Sequence, residues 1–121
     1  MSDGLDLKRA LEFLAVESLP WSDAPGSPGV SERVLSAAPS GDGDVLTRLA
    51  RWAPGLDTSA AGVIRHRYCE EVLILEGELE DLTLGTVFTA GHYACRPPGM
   101  PHGPYRTTTG CVMLEIRYRP R

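Results

Sequence analysis

The sequence predicts an all-β domain closed into a barrel or sandwich, and two observations predict it. From Val30 onward, short β-rich runs are separated by turn residues. In the last run Val112, Leu114 and Ile116 alternate with Met113, Glu115 and Arg117, the period of a half-buried antiparallel strand. The expected strands cover residues 30–35, 45–52, 62–66, 72–79, 86–89, 92–96 and 111–118. Pro39, Gly43, Pro54, Gly55, Gly77, Gly85, Gly91, Pro97, Gly99 and Gly110 punctuate them. Ahead of the strands, Leu7, Leu11, Phe13 and Leu14, with Lys8, Arg9, Glu12 and Glu17 elsewhere, predict one amphipathic helix over residues 6–18. Pro20 ends it, and the three prolines and two glycines of residues 20–29 predict an extended connector. The organisation expected is a helical extension, 1–18, and a barrel, 19–121.

A chain of 121 residues makes one domain with a core of its own. Its 42% hydrophobic and 23% charged residues are those of an ordinary globular protein. A net charge of −4 argues against a broad nucleic-acid surface. No apolar run is long enough to span a bilayer, and the acidic N-terminus does not read as a secretory signal, so a cytoplasmic protein is expected. The three cysteines, Cys69, Cys95 and Cys111, are odd in number and lack C-x-x-C spacing, which excludes a disulfide framework or thiolate zinc site.

Residues 91–102 spell G-x5-P-x-G-x2-H, with Gly91, Pro97, Gly99 and His102 at the fixed places. Proline presets φ and glycine accepts conformations closed to other residues, so a tight reversal aims His102 with little freedom. Upstream, His66 and Glu70 are four apart. If Arg67, Tyr68 and Cys69 form a three-residue hairpin loop, the two become cross-strand neighbours about 5 Å apart at Cβ. Two histidines and one carboxylate with open positions suit Fe, and equally Mn, Ni or Zn. His92 reads as a surface histidine, Cys69 as a packed thiol, and Glu76, Glu78, Glu80 and Asp81 as a solvated edge.

Together the two runs resemble the cupin signature, and the texture of residues 19–119 is similar to the ChrR-type cupins. The resemblance rests on Leu19-Pro20-Trp21, on Arg51, Trp52, Pro54 and Gly55, on the run from Glu70 to Gly77, and on that from Pro97 to Pro104. It implies an RmlC-like double-stranded β-helix, a jelly-roll barrel with one short N-terminal helix. It implies a divalent metal on His66, Glu70 and His102. The family pattern H-x-H-x3-E has a further histidine where this chain has Ile64, and loop glycines where it has Tyr68 and Cys69.

Ile64, Tyr68, Tyr93 and Cys95 are the candidate pocket-lining residues. The resemblance implies an enzyme acting on a small organic molecule, such as a dioxygenase of dicarbonyl-like or acyl-phenol-like substrates. A Lewis-acid isomerase, cyclase or decarboxylase would use the same ligands. The other expectation is a metal-free binding or regulatory cupin. An exposed sheet edge must be covered, and a homodimer is the expected cover.

Overall fold

In the computed structural model, which describes residues 6–120, the chain forms eight antiparallel strands and almost no helix. They are β1 (Ser22–Asp23), β2 (Val30–Ala37), β3 (Leu46–Trp52), β4 (Cys69–Asp81), β5 (Thr86–Thr89), β6 (Tyr93–Arg96), β7 (Tyr105–Arg106) and β8 (Cys111–Tyr118). Their hydrogen-bonded order is β1-β2-β3-β8-β4-β5, with β6 and β7 also paired to β4. No helix among the described residues is long and apolar enough to cross a membrane.

Strand β4 is the hub. Up to Gly77 it pairs with β8, and from Glu78 onward with β5 and β7. The register shifts between Ile74 and Glu76. At Gly77, with φ +78°, a Cβ would stand 2.0 Å from the Gly110 carbonyl oxygen. Only glycine allows two backbones so close, and here it lets one strand leave one sheet and enter another.

The main core gathers Val72, Ile74, Leu79, Tyr105, Cys111 and Met113, with Trp52, Ile64, Phe88 and Ala94 packed against it. Each such aliphatic side chain, fully buried, contributes roughly 1.5–3 kcal/mol. A smaller cluster of Ala24, Val30 and Ala50 shares Trp52. In β8 the phase of burial is not the one its apolar residues suggest. Cys111, Met113 and Glu115 are buried, while Val112, Leu114 and Ile116 are half-buried on the outer face. The interior there is charged, and β8 supplies Glu115 and Arg117 to it.

Several expectations change. Residues 6–15 form no helix, and only a 3-10 turn at Val16–Ser18 remains. A 13-residue helix is marginal unless its apolar face packs. Leu7, Leu11 and Phe13 stay exposed, and polar contacts tie the segment down: Lys8 donates to Thr47, and Asp6 accepts from Ser40 and Arg119. The 62–66 run makes one isolated bridge, Ile64 with His102, rather than a strand. The acidic run is engaged: Asp81 is buried and accepts from the Thr83 and Leu84 amides, Glu78 from those of Thr108 and Thr109, and Glu80 pairs with Arg106.

Candidate metal centre and pocket

Glu70 stands on the inner face of β4, directly opposite Arg96 of β6 on one side and Arg117 of β8 on the other. Side chains paired this way share a face. Glu70 Oε1 therefore accepts from Arg96 Nη1 at 2.9 Å, and Oε2 from Arg117 Nε at 3.2 Å. Burial pushes the Glu70 carboxyl up, but Arg117 and Arg96 outweigh it and hold it below the usual range.

His66 arrives differently from the hairpin expected. Cys69 and Glu70 are already in β4, so residues 67–69 cannot be a loop between paired strands. The segment before them lies instead along residues 99–102. Ile64 and His102 exchange backbone hydrogen bonds of 2.8 and 3.0 Å, and the Gly99 amide donates to the His66 carbonyl. The imidazole still reaches Glu70, with Nε2 3.7 Å from Oε1. Ligand atoms of His66, Glu70 and His102 all lie within 4.8 Å of one another.

Burial lowers the His66 imidazole. Burial, then Arg96 and His66, lower that of His102 to about 4. Both rings are thus neutral at pH 7, the form that ligates a metal. His102 Nδ1 lies 2.8 Å from the Tyr105 hydroxyl, while its Nε2 is buried with no hydrogen-bond partner. A buried orphan nitrogen calls for an explanation. Two neutral imidazoles and one carboxylate fit a divalent ion of the Fe, Mn, Ni or Zn kind in number and chemistry.

Glu70 also belongs to a buried ladder of alternating charge. Arg48 bridges Glu32 at 2.7 Å and Glu115 at 2.8 Å. Arg117 lies 3.6 Å from Glu115 and reaches on to Glu70. Arg96 extends the line by donating through Nη2 to the Tyr105 hydroxyl at 2.8 Å. None of the three arginines stands out in the sequence as a site residue. The strand alternation of Arg48 with Ala50 and of Glu115 with Met113 is the signal that could have found two of the rungs.

Beside this cluster opens a pocket of about 450 Å³. Its wall is mainly apolar, with Val72, Ile74, Leu79, Phe88 and Met113, and Arg96, His102, Tyr105 and Asp81 are among its polar residues. Of the candidate lining residues, Tyr93 is in the wall and Ile64, Tyr68 and Cys95 are not. Cys95 falls between Ala94 and Arg96 on β6 and faces solvent instead. Ile64 packs against the core, and Tyr68 stacks on His66, its ring centroid 4.5 Å away. His92 is exposed, as expected, at the pocket rim. His102 is the member of the triad that faces the pocket.

An antiparallel barrel, the G-x5-P-x-G-x2-H turn and inward histidines define a cupin. A family model, the ChrR Cupin-like domain, matches residues 10–118, and the chain belongs to that family. No curated protein sequence matches it. Among solved structures, an RmlC-like cupin from Shewanella frigidimarina superposes with a TM-score of 0.68 at 21% identity, covering 93% of this chain and 94% of that one. The anti-sigma factor ChrR, in complex with SigE of Rhodobacter sphaeroides, gives 0.62 at 24% identity over 86% of this chain and 52% of that one. An acetylacetone dioxygenase from Acinetobacter johnsonii gives 0.69 at 15% identity over 97% and 80%. At these identities the likeness is one of fold.

Proposed function

We propose that this cupin is a metal-dependent enzyme acting on a small organic molecule, with His66, Glu70 and His102 holding the ion. The observation that carries the reading is the buried, unpartnered Nε2 of His102, on a residue whose ligand atom lies within 4.8 Å of those of His66 and Glu70 and which lines an apolar pocket. Lewis acidity, and with iron a redox centre, is what a bound ion supplies there. The chain's own residues do the rest. The apolar wall excludes water and seats the organic body. Arg96 and Arg117 keep Glu70 ionised and fix its carboxylate plane. Tyr105 holds the His102 ring through Nδ1. Oxygenation of a dicarbonyl-like substrate is the first reaction to assay, because such molecules present two oxygens on a small apolar frame.

A second reading, a metal-free small-molecule binder, is favoured by the arginines already bonded to both Glu70 oxygens and by Ile64 in the place of a family histidine. Elemental analysis of untagged protein, wild type and His102→Ala, separates the two. Near-stoichiometric metal that vanishes in the variant supports the enzyme reading, whereas none in either protein after reconstitution leaves the binder. The homodimer belongs to this proposal too. Leu49, Leu114, Leu73 and Tyr93 align across the outer face of the sheet as the surface it would cover, and light scattering tests it.

A further inference from the structure

Arg96 has more to offer than its structural bonds. Its guanidinium carries five N–H groups. Among the described residues it gives one to Glu70 and one to Tyr105. Those two bonds pin the group, and its side chain is only 13% exposed, in the wall of the pocket. Among the described residues its remaining donors meet no acceptor. His102 lines the same wall, and its buried Nε2 is also unpartnered.

The charge around it is uneven. Arg96 and Arg117 share the single carboxylate of Glu70, while Glu115, Arg117's other partner, is already bound by Arg48. Asp81 is the acidic group in the pocket wall, and its Oδ1 is engaged by the Thr83 and Leu84 amides. Among the described residues that line the pocket, Arg96 is therefore the one cation, fixed in place and with donors to spare.

We propose that Arg96 is the specificity-determining residue of this pocket, and that it selects small apolar molecules carrying an anionic oxygen, a carboxylate or an enolate. This takes the pocket named above as the substrate site and adds the chemistry of the group it receives. A guanidinium pinned on two sides loses little freedom when it accepts such a ligand, and burial strengthens the charge-assisted bond. Neutral molecules of the same shape gain the apolar wall but not the ion pair.

The test compares phenylacetate with phenylacetamide, of the same shape but neutral, by calorimetric titration of the full-length protein, as purified and after chelator treatment. Wild type is expected to bind the acid about tenfold or more tightly than the amide. Arg96→Gln abolishes the preference and Arg96→Lys restores part of it. Equal binding of the two probes by wild type overturns the proposal, and so does a preference that survives Arg96→Gln. If Arg96→Gln does not fold, the Arg96 Nε–H resonance in ¹⁵N spectra of wild type replaces it. A shift on adding phenylacetate but not phenylacetamide is expected, and an unmoved resonance refutes the idea. Metal content, measured on the same samples, keeps the two proposals apart. An acid preference without metal sustains this one alone, and bound metal without the preference sustains only the metalloenzyme.

Discussion

Replacing Arg48 by Met strands Glu115 inside the barrel, and the loss that follows depends on pH in a calculable way. Arg48 and Glu115 side chains are 10% and 8% exposed, and they pair at 2.8 Å. Without Arg48 the nearest cation is Arg117 Nη2 at 3.6 Å. Breaking a buried pair by removing one partner costs roughly 3–5 kcal/mol. Glu115 has an alternative, which is to take up a proton. From an ordinary value of 4.5, doing so at pH 7 costs about 3.4 kcal/mol, which caps the electrostatic loss near that figure. At pH 5 the same step costs about 0.7 kcal/mol. The sign follows from linkage. A carboxyl raised in the folded state, as burial already raises that of Glu115, binds protons that the unfolded chain releases; without Arg48 to oppose that rise, the variant loses stability more steeply than wild type as pH rises above 4.5. Urea unfolding of wild type and variant at each pH gives the difference: up to about 3 kcal/mol at pH 7 and up to about 1 at pH 5. The double variant Arg48→Met/Glu115→Leu recovers the share due to Glu115, while Glu32 still lacks its partner. A difference below about 1 kcal/mol at pH 7, or one that ignores pH, would refute the reasoning.

Gly77→Ala places a Cβ 2.0 Å from the Gly110 oxygen, and thermal unfolding should show a loss of at least about 3 kcal/mol. Gly85→Ala, at a similar positive φ with nothing within 4 Å, costs only about 1–2 kcal/mol. Ile64→His sets a third imidazole directly opposite His102, because the two residues form an antiparallel hydrogen-bonded pair. Metal titration followed by dialysis should show about tenfold tighter retention or more. His66 and His102 both hold their imidazoles below the ordinary 6.5, His102 at about 4. Between those values the unfolded chain binds protons that the fold refuses, so stability falls as pH drops from about 6.5 toward 4. Denaturant midpoints at pH 7 and pH 5 should differ less in His66→Gln/His102→Gln than in wild type.

Much of the barrel was legible because its punctuation is local: Gly77, Gly91, Pro97 and Gly99 stand where strands turn or change partner. The convergence of His66, Glu70 and His102 was legible as residue types at fixed spacing, though the path that brings them together was not. The bend at Arg67 and Tyr68 is decided by the pairing of Ile64 with His102, 38 positions apart. The N-terminal helix was a false reading for the opposite reason. Leu7, Leu11 and Leu14 have the helical period, but a period yields structure only where a face of the fold receives it. In β8 the apolar phase misleads, since the interior beside Glu115 and Arg117 is matched by charge from Arg48 and Glu70. Partners so far apart in the chain leave no mark on any single segment.

The alternating ladder also constrains how this chain can vary over descent. Glu32 is half-buried on β2, yet three side chains, Arg48, Glu115 and Arg117, are all that separate it from Glu70. A change of sign on any inner rung leaves two neighbours facing like charge in a medium that screens little. Substitutions there should be tolerated in pairs, or as an apolar replacement of a whole segment, rather than singly. Within a lineage these positions should drift together, and the pocket would inherit each joint change as a shift in the potential that its ligand meets.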